Sequence, residues 1–249
     1  MPDNLVWLTW SGIFLLPWGL LYIGFPRHRN VMRWASVFTA PFGLTEPIFV
    51  PEYWSPPSLF NLARRTGFDL ESVVFSFGIG GVAAVLYSIL AGTRLKAVDE
   101  LSKHVPRHRY HKWALAVPFL GFPVLYAFPW NPIYPAVTAM VLGAVATGLC
   151  RPDLKRKTWV GGVLFLAYYW VFVEGLELLS PGYVEQVWNL PDLTGVLVLN
   201  SPLEELLFAF AFGMYWSGVY EHFTWRHPVP GRPGVHHVED PGKRKGGIG

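Results

Sequence analysis

The chain has 249 residues, of which 52% are hydrophobic and 15% charged, with a mean hydropathy of +0.31 and a net charge of +3. That balance excludes an ordinary soluble domain, because several near-uncharged runs approach the roughly 20 residues a helix needs to cross a bilayer core. The basic residues sit in short loops, a topology signal that excludes a nucleic-acid footprint, and the single cysteine, Cys150, excludes an internal disulfide.

Seven apolar segments, about 5–25, 32–51, 72–92, 113–130, 132–150, 158–179 and 195–221, predict an all-α integral membrane protein with seven transmembrane helices. The opening MPDNLVW lacks the basic region of a cleavable signal peptide, so none is expected. Arg27, Arg29 and Arg33 follow segment 1; after segment 2, Glu52, Arg64, Arg65 and Asp69 cancel. Arg94, Lys96, Lys103, Arg107, Arg109 and Lys112 follow segment 3, and the next connection is uncharged. Arg151, Lys155, Arg156 and Lys157 follow segment 5, and only Glu185 and Asp192 the segment after it. Every second loop is basic, so the positive-inside rule puts the N-terminus outside and the C-terminus in the cytoplasm of a multi-pass protein of the cell (inner) membrane. Residues 1–226 form the transmembrane domain in this reading. The Pro- and Gly-rich stretch 227–249 is expected to be a disordered cytoplasmic tail.

An internal repeat is visible. LESVVFSFGIGGVAAVLY from Leu70 lies over LEELLFAFAFGMYWSGVY from Leu203, matching Glu71 with Glu204, Phe75 with Phe208, Phe77 with Phe210, Gly80 with Gly213 and Tyr87 with Tyr220. Upstream, TEPIFVPEYW resembles LELLSPGYVEQVW, with Glu46 opposite Glu177. The offset spans four helices, so both copies cross the membrane the same way. Repeat 1 covers about 5–92, a linker helix about 113–130 and repeat 2 about 132–221.

The acids within these segments are the candidate functional groups. Glu46, Glu71, Glu177 and Glu204 recur at equivalent places, with Glu205 and Glu174 as extras. Intramembrane carboxylates are costly when charged and unpaired, so they face the bundle interior and find partners. No lysine or arginine is expected within the apolar segments to pair with them. Capping is the plain reading for Glu71, at a helix N-terminus. Glu204 and Glu205 project about 100° apart and cannot both cap, so one is free to face the bundle axis. Clustered carboxyls in an apolar cavity can divide into an acid and a base. Phe75, Phe77, Phe208, Phe210, Tyr215 and Trp216 surround them as candidate substrate-binding aromatics, able to stabilise a carbocation; ordinary packing is the plain alternative.

Other signals carry less. His104, His108 and His111 have metal-ligand spacing but lie among basic residues, so lipid headgroup contact is expected and no metal. No histidine is expected in mid-membrane for a haem, no lysine in the seventh segment for a retinal Schiff base, and no nucleotide signature is present.

At PLEELLF the chain resembles the membrane-integral lycopene cyclases, the flavin-independent type found as two small bacterial subunits or one fused chain in archaea, bacteria and fungi. Members are built from two similar three-helix units, each with a Pro-x-Glu-(Glu/Asp) motif opening a phenylalanine-rich helix. Pro202, Glu204, Glu205 and Phe208 match the second copy. In the first, Asp69 replaces the proline and Ser72 the second acid, leaving Glu71, which reads as one functional site rather than two. The EPIFVPEYWSPPSLF stretch is not assigned by that pattern. The resemblance implies acid/base cyclisation of a linear carotenoid end group, an isomerisation with no net redox. It implies Glu204 and Glu205 as the acid/base pair, Glu71 as partner from the other unit, and Glu46 and Glu177 in support. The implied partners are a lipophilic polyene and membrane lipid, not nucleic acid. No cofactor is implied, with reduced flavin and homo-oligomerisation left open. Alternatives are a non-catalytic carotenoid or isoprenoid-lipid binder, a cyclase acting on another polyprenyl lipid and, last, a proton-coupled transporter.

Overall fold

The computed structural model describes residues 3–231. In chain order the helices are α1 (Asp3–Gly24), α2 (Arg29–Thr39), α3 (Glu46–Phe49), α4 (Leu62–Thr66), α5 (Leu70–Leu90), α6 (Glu100–Lys103), α7 (His111–Tyr126), α8 (Ile133–Cys150), α9 (Lys155–Leu179), α10 (Tyr183–Val187) and α11 (Leu203–Thr224). Short strands are β1 (Thr93–Ala97), β2 (Leu197–Val198), β3 (Ser201–Pro202) and β4 (Arg226–Pro230).

Among the described residues, four stretches are long and apolar enough to cross a membrane: Leu5–Gly24, Leu70–Leu90, Ile133–Cys150 and Pro152–Leu179. Leu20, Ile23, Leu149, Val171 and Leu178 are each at least 71% exposed on these helices. An apolar surface of that extent is stable against hydrocarbon and not against water, which marks the chain as a membrane protein.

Local chemistry sets the breaks. The second apolar segment is not one helix, because Pro41 and Pro47 each lack a backbone donor; α2 tightens into a 3-10 turn over Ala40–Thr45 and restarts as α3. Asp69 caps α5 by accepting from Ser72 N–H at 2.5 Å. The seventh segment becomes helical at Leu203, not at 195. Gly195 and Leu199 adopt left-handed backbone (φ 69° and 58°), and β2 pairs with β3 before the helix starts. Pro202 is the N-cap of α11. The expected disorder from 227 is corrected for the first tail residues, since β4 pairs antiparallel with β1, Lys96 opposite His227. Residues 232–249 lie outside the described residues.

In the packing, α5 lies against α1 and α2, and α11 lies against α8 and α9. The two groups meet where α5 touches α9 and α11, while α7 packs on α8 and reaches α11. The α9–α11 contact is close at Gly213, where a Cβ would stand 2.7 Å from Phe165 Cβ and 2.9 Å from Gly161 O. At Gly80 of α5 a Cβ would fall on the Thr39 side chain of α2.

A buried ion pair lies within the second group, its lysine one residue before the sixth apolar segment. Lys157 of α9 pairs with Glu221 of α11, both 1% exposed, and its Nζ also donates to Ala84 O and Ser88 Oγ of α5, each at 3.2 Å. With two acceptors besides the carboxylate, the ammonium is well saturated, the condition under which a buried pair is tolerated.

Candidate active site

The two acids that open α11 diverge, as residues about 100° apart on a helix must. Glu204 turns toward α8 and the loop before its own helix. Its Oε1 accepts from Tyr134 O–H and Thr194 N–H, both at 2.9 Å. Glu205 turns into the bundle and is buried. Its Oε1 accepts from Tyr53 O–H and, at 2.9 Å, from Trp188 Nε1–H; its Oε2 accepts from Tyr169 O–H at 2.6 Å. Among the described residues no cation forms a salt bridge to it. Three neutral donors thus share its two oxygens.

A second carboxylate reaches the same region from α3. Glu46 is buried, and its Oε2 accepts from Trp54 Nε1–H at 3.0 Å. Trp54 and Trp188 are neighbours, with ring centroids 5.5 Å apart. Their backbones form an antiparallel bridge, Ser55 N–H to Val187 O at 2.8 Å and Asn189 N–H to Tyr53 O at 3.0 Å. Two adjoining tryptophans thus each hold one acid, so the backbone bridge fixes the relation between the carboxylates.

Glu46 and Glu205 both border a cavity of about 370 Å³. The rest of its wall is mainly aromatic and aliphatic, with Tyr169, Phe75 and Ile79 among the residues on the inner side. Along α11, Glu205, Phe208, Phe212 and Trp216 fall at i, i+3, i+7 and i+11, one helical face. Successive rings are 5.7 and 5.8 Å apart and nearly parallel, at 22° and 13°. At 1.5 Å per residue this stripe runs about 16 Å from the acid. It ends near Phe42 and Phe119, which stack at 5.9 Å and are 37% and 51% exposed. The cavity therefore opens between the 3-10 turn and α7, on the apolar outer surface.

Of the expected acids, Glu46 and Glu205 line the cavity. Glu71, fully buried, accepts from Leu59 N–H at 2.6 Å. Glu177 accepts from Gly182 N–H and, at 3.0 Å, from Val184 N–H. These two and Glu204 bind the backbone of loops. Glu71 and Glu204, matched in sequence, each take an amide from the loop that leads into their helix. Among the aromatics, Phe75, Phe208, Tyr215 and Trp216 line the cavity. Phe77 and Phe210 sit two residues on from Phe75 and Phe208, about 200° round the helix. They pack instead on Trp18 (5.2 Å) and Trp159 (6.2 Å).

Sequence reading missed Tyr53, Trp54, Tyr169, Trp188 and Phe212. The first two belong to the EPIFVPEYW stretch, which supplies Glu46, Tyr53 and Trp54 to one corner of the cavity. The spacing of 205, 208, 212 and 216 was the available signal for Phe212. The described residues with metal-ligating geometry are His108, His111 and Cys150. They lie at the far end of α8 from the cavity, which touches Ile133 and Ala136.

No curated protein and no solved structure matches the chain. Residues 131–223, fewer than half of the 249, match the family model described as lycopene cyclase, a segment that runs from just before α8 to the last turn of α11.

Proposed function

We propose that the chain is a carotenoid end-group cyclase of the lycopene type, an isomerase that works by acid–base catalysis inside the membrane. The observation that carries this reading is the pairing of Glu46 and Glu205 at one end of an aromatic cavity that opens on the lipid-facing surface. The family match over residues 131–223 supports it independently.

In this mechanism Glu46, which accepts from Trp54 on Oε2, holds a proton. It delivers that proton to the terminal carbon–carbon double bond of a linear polyene. The resulting tertiary cation is attacked by a neighbouring double bond, and one carbon–carbon bond forms to close the ring. Glu205, the carboxylate with three donors, removes a proton from a ring carbon and leaves a new double bond. One proton enters and one leaves, so no oxidant or reductant is consumed. The rings of Phe208 and Tyr169 stand beside Glu205, 5.9 Å apart, where their faces can stabilise the cation. Water is scarce in such a cavity, which protects the cation from capture. Glu204, Glu71 and Glu177 act in this proposal by holding the loops that carry Tyr53, Trp54 and Trp188.

The proposal includes seven spans in two parallel three-helix units, with the N-terminus outside. Support comes from the like packing of α5 on α1 and α2 and of α11 on α8 and α9. It comes also from the reciprocal bonds of the Trp54–Trp188 bridge, which relate the two units about a local two-fold. The family match ends at the borders of the second unit. Where Ser72 replaces the second acid of the first copy, Glu46 supplies it from α3.

Expression in bacteria that accumulate lycopene, followed by pigment chromatography, tests the activity. Cyclised product in cells with the chain, and its loss with Glu205→Gln, is the expected outcome. Unchanged lycopene despite good membrane insertion would refute the reading. Unchanged lycopene that co-purifies with the chain would favour a carotenoid binder instead.

A further inference from the structure

Away from the cavity, at the other end of α8, the loop before α7 and the last turn of α11 converge on Cys150. Its Sγ stands 3.5 Å from Nδ1 of His108 and 3.5 Å from Nδ1 of His111, and the three donor atoms lie within 4.8 Å of one another. We infer that His108, His111 and Cys150 form a site for a thiophilic metal ion, with Cu(I) favoured over Zn(II).

Sulfur and imidazole ligands at about 2.3 and 2.0–2.1 Å from one ion stand about 3.5–3.8 Å apart in tetrahedral or trigonal geometry. The two sulfur–nitrogen edges match that spacing. The second observation concerns the far side of His111. Its Nε2 is 2.9 Å from the carbonyl oxygen of His222. A carbonyl only accepts, so Nε2 carries the proton and Nδ1 presents its lone pair toward Cys150, the arrangement that orients metal-bound histidines. The His111 ring is clamped between those of His222 and Trp225, with centroids 3.9 and 3.8 Å away. The ligand is therefore positioned before any ion arrives.

The choice of ion follows from charge. Arg151 adjoins the site, with its guanidinium held by Asp153 at 2.8 and 2.6 Å, and Arg107 and Arg109 lie in the same loop as His108. A thiolate with a monovalent ion is neutral beside these cations; with a divalent ion it carries a net positive charge. Two imidazoles and one thiolate also suit three-coordinate Cu(I), and thiolate selects for it. On binding, the Cys150 thiol releases its proton to solvent, one S–metal and two N–metal bonds form, and no electrons are exchanged. The ion joins the entry to α7 with the end of α8.

The full chain, purified in detergent and stripped with chelator, is titrated with Cu(I) against a chromogenic Cu(I) chelator, and separately with Zn(II). One Cu(I) per chain is expected, held at least tenfold more tightly than by Cys150→Ser or His108→Ala, with a rise in Tm that both variants lose. His108 lies in the loop and is only partly buried, so His108→Ala serves where Cys150→Ser fails to fold. Failure of the intact chain to bind either ion would overturn the site, as would equal affinity in either variant. Retention of Zn(II) in preference to Cu(I) would overturn the choice of ion. None of these readouts depends on cyclase activity.

Discussion

The separation of Glu204 from Glu205 shows how much one step along a helix decides. Glu205→Gln keeps volume and an amide oxygen that can accept from Tyr53 and Trp188, with its amide nitrogen facing the Tyr169 hydroxyl as a donor, but it cannot take a proton. A loss of cyclised product of at least about a hundredfold is expected, since general base catalysis contributes roughly 10²–10⁴. Detergent-purified protein should show a Tm close to that of the unaltered chain. Tyr169→Phe removes one of the three donors and should lower turnover by a smaller factor. Glu71→Gln should behave the opposite way, lowering Tm with the product pattern retained, because Glu71 is buried on a loop amide and does not line the cavity. Lys157→Met strands Glu221 as an uncompensated buried charge, a cost of about 3–5 kcal/mol. The double change Lys157→Met with Glu221→Leu should recover much of it, as thermal unfolding would report. From the sequence, SPLEELLF was legible as an anomaly, and so were Glu46 and Glu71. Which acid faces the cavity was not, because the choice depends on Tyr53 and Trp188, each brought in by a loop.

At the scale of elements, the approach of α9 to α11 depends on the absence of a side chain at Gly213. Gly213→Ala must push the helices apart or displace Phe165. Overpacking of this kind costs about 1–3 kcal/mol, and a lowered Tm in detergent is the expected reading. Gly148→Ala, where a Cβ meets nothing within 4 Å, should be neutral or slightly stabilising and serves as the control. Apolar run length located the long helices well, since a helix crossing lipid must satisfy its backbone internally and declares itself by composition. It failed where local backbone chemistry ruled. Pro41 and Pro47 broke the second segment, and left-handed Leu199 delayed the start of α11. The pairing of β4 with β1 was hidden because β4 reads RHPVP, with prolines that argue against a strand unless it lies at an edge.

The whole molecule places the proposed reactive corner where the two helix groups meet, and this limits what the cavity can admit. Tyr53, Trp54 and Glu46 come from before α5, whereas Tyr169, Trp188 and Glu205 come from α9 and beyond, so neither group encloses the site alone. The enclosed volume of about 370 Å³ is near the low end of the roughly 300–1,000 Å³ typical of small-ligand pockets. That is room for a single end group and the start of a conjugated chain, so on the proposed function the rest of a long polyene would leave by the mouth at Phe42 and Phe119 and lie in lipid. The proposed cyclase would then react with one end per binding event, and a second cyclisation would require release and reversal of the polyene. Ala136 lines the cavity from α8 and is only partly buried, so Ala136→Phe should project a ring into the free space with little strain on the core. The expected result is a drop of at least about tenfold in ring formation with Tm unchanged, the loss falling more heavily on two-ring than on one-ring product. Chromatographic quantification of both products over time checks this. Two-ring product appearing without a one-ring intermediate would contradict the single-end cavity.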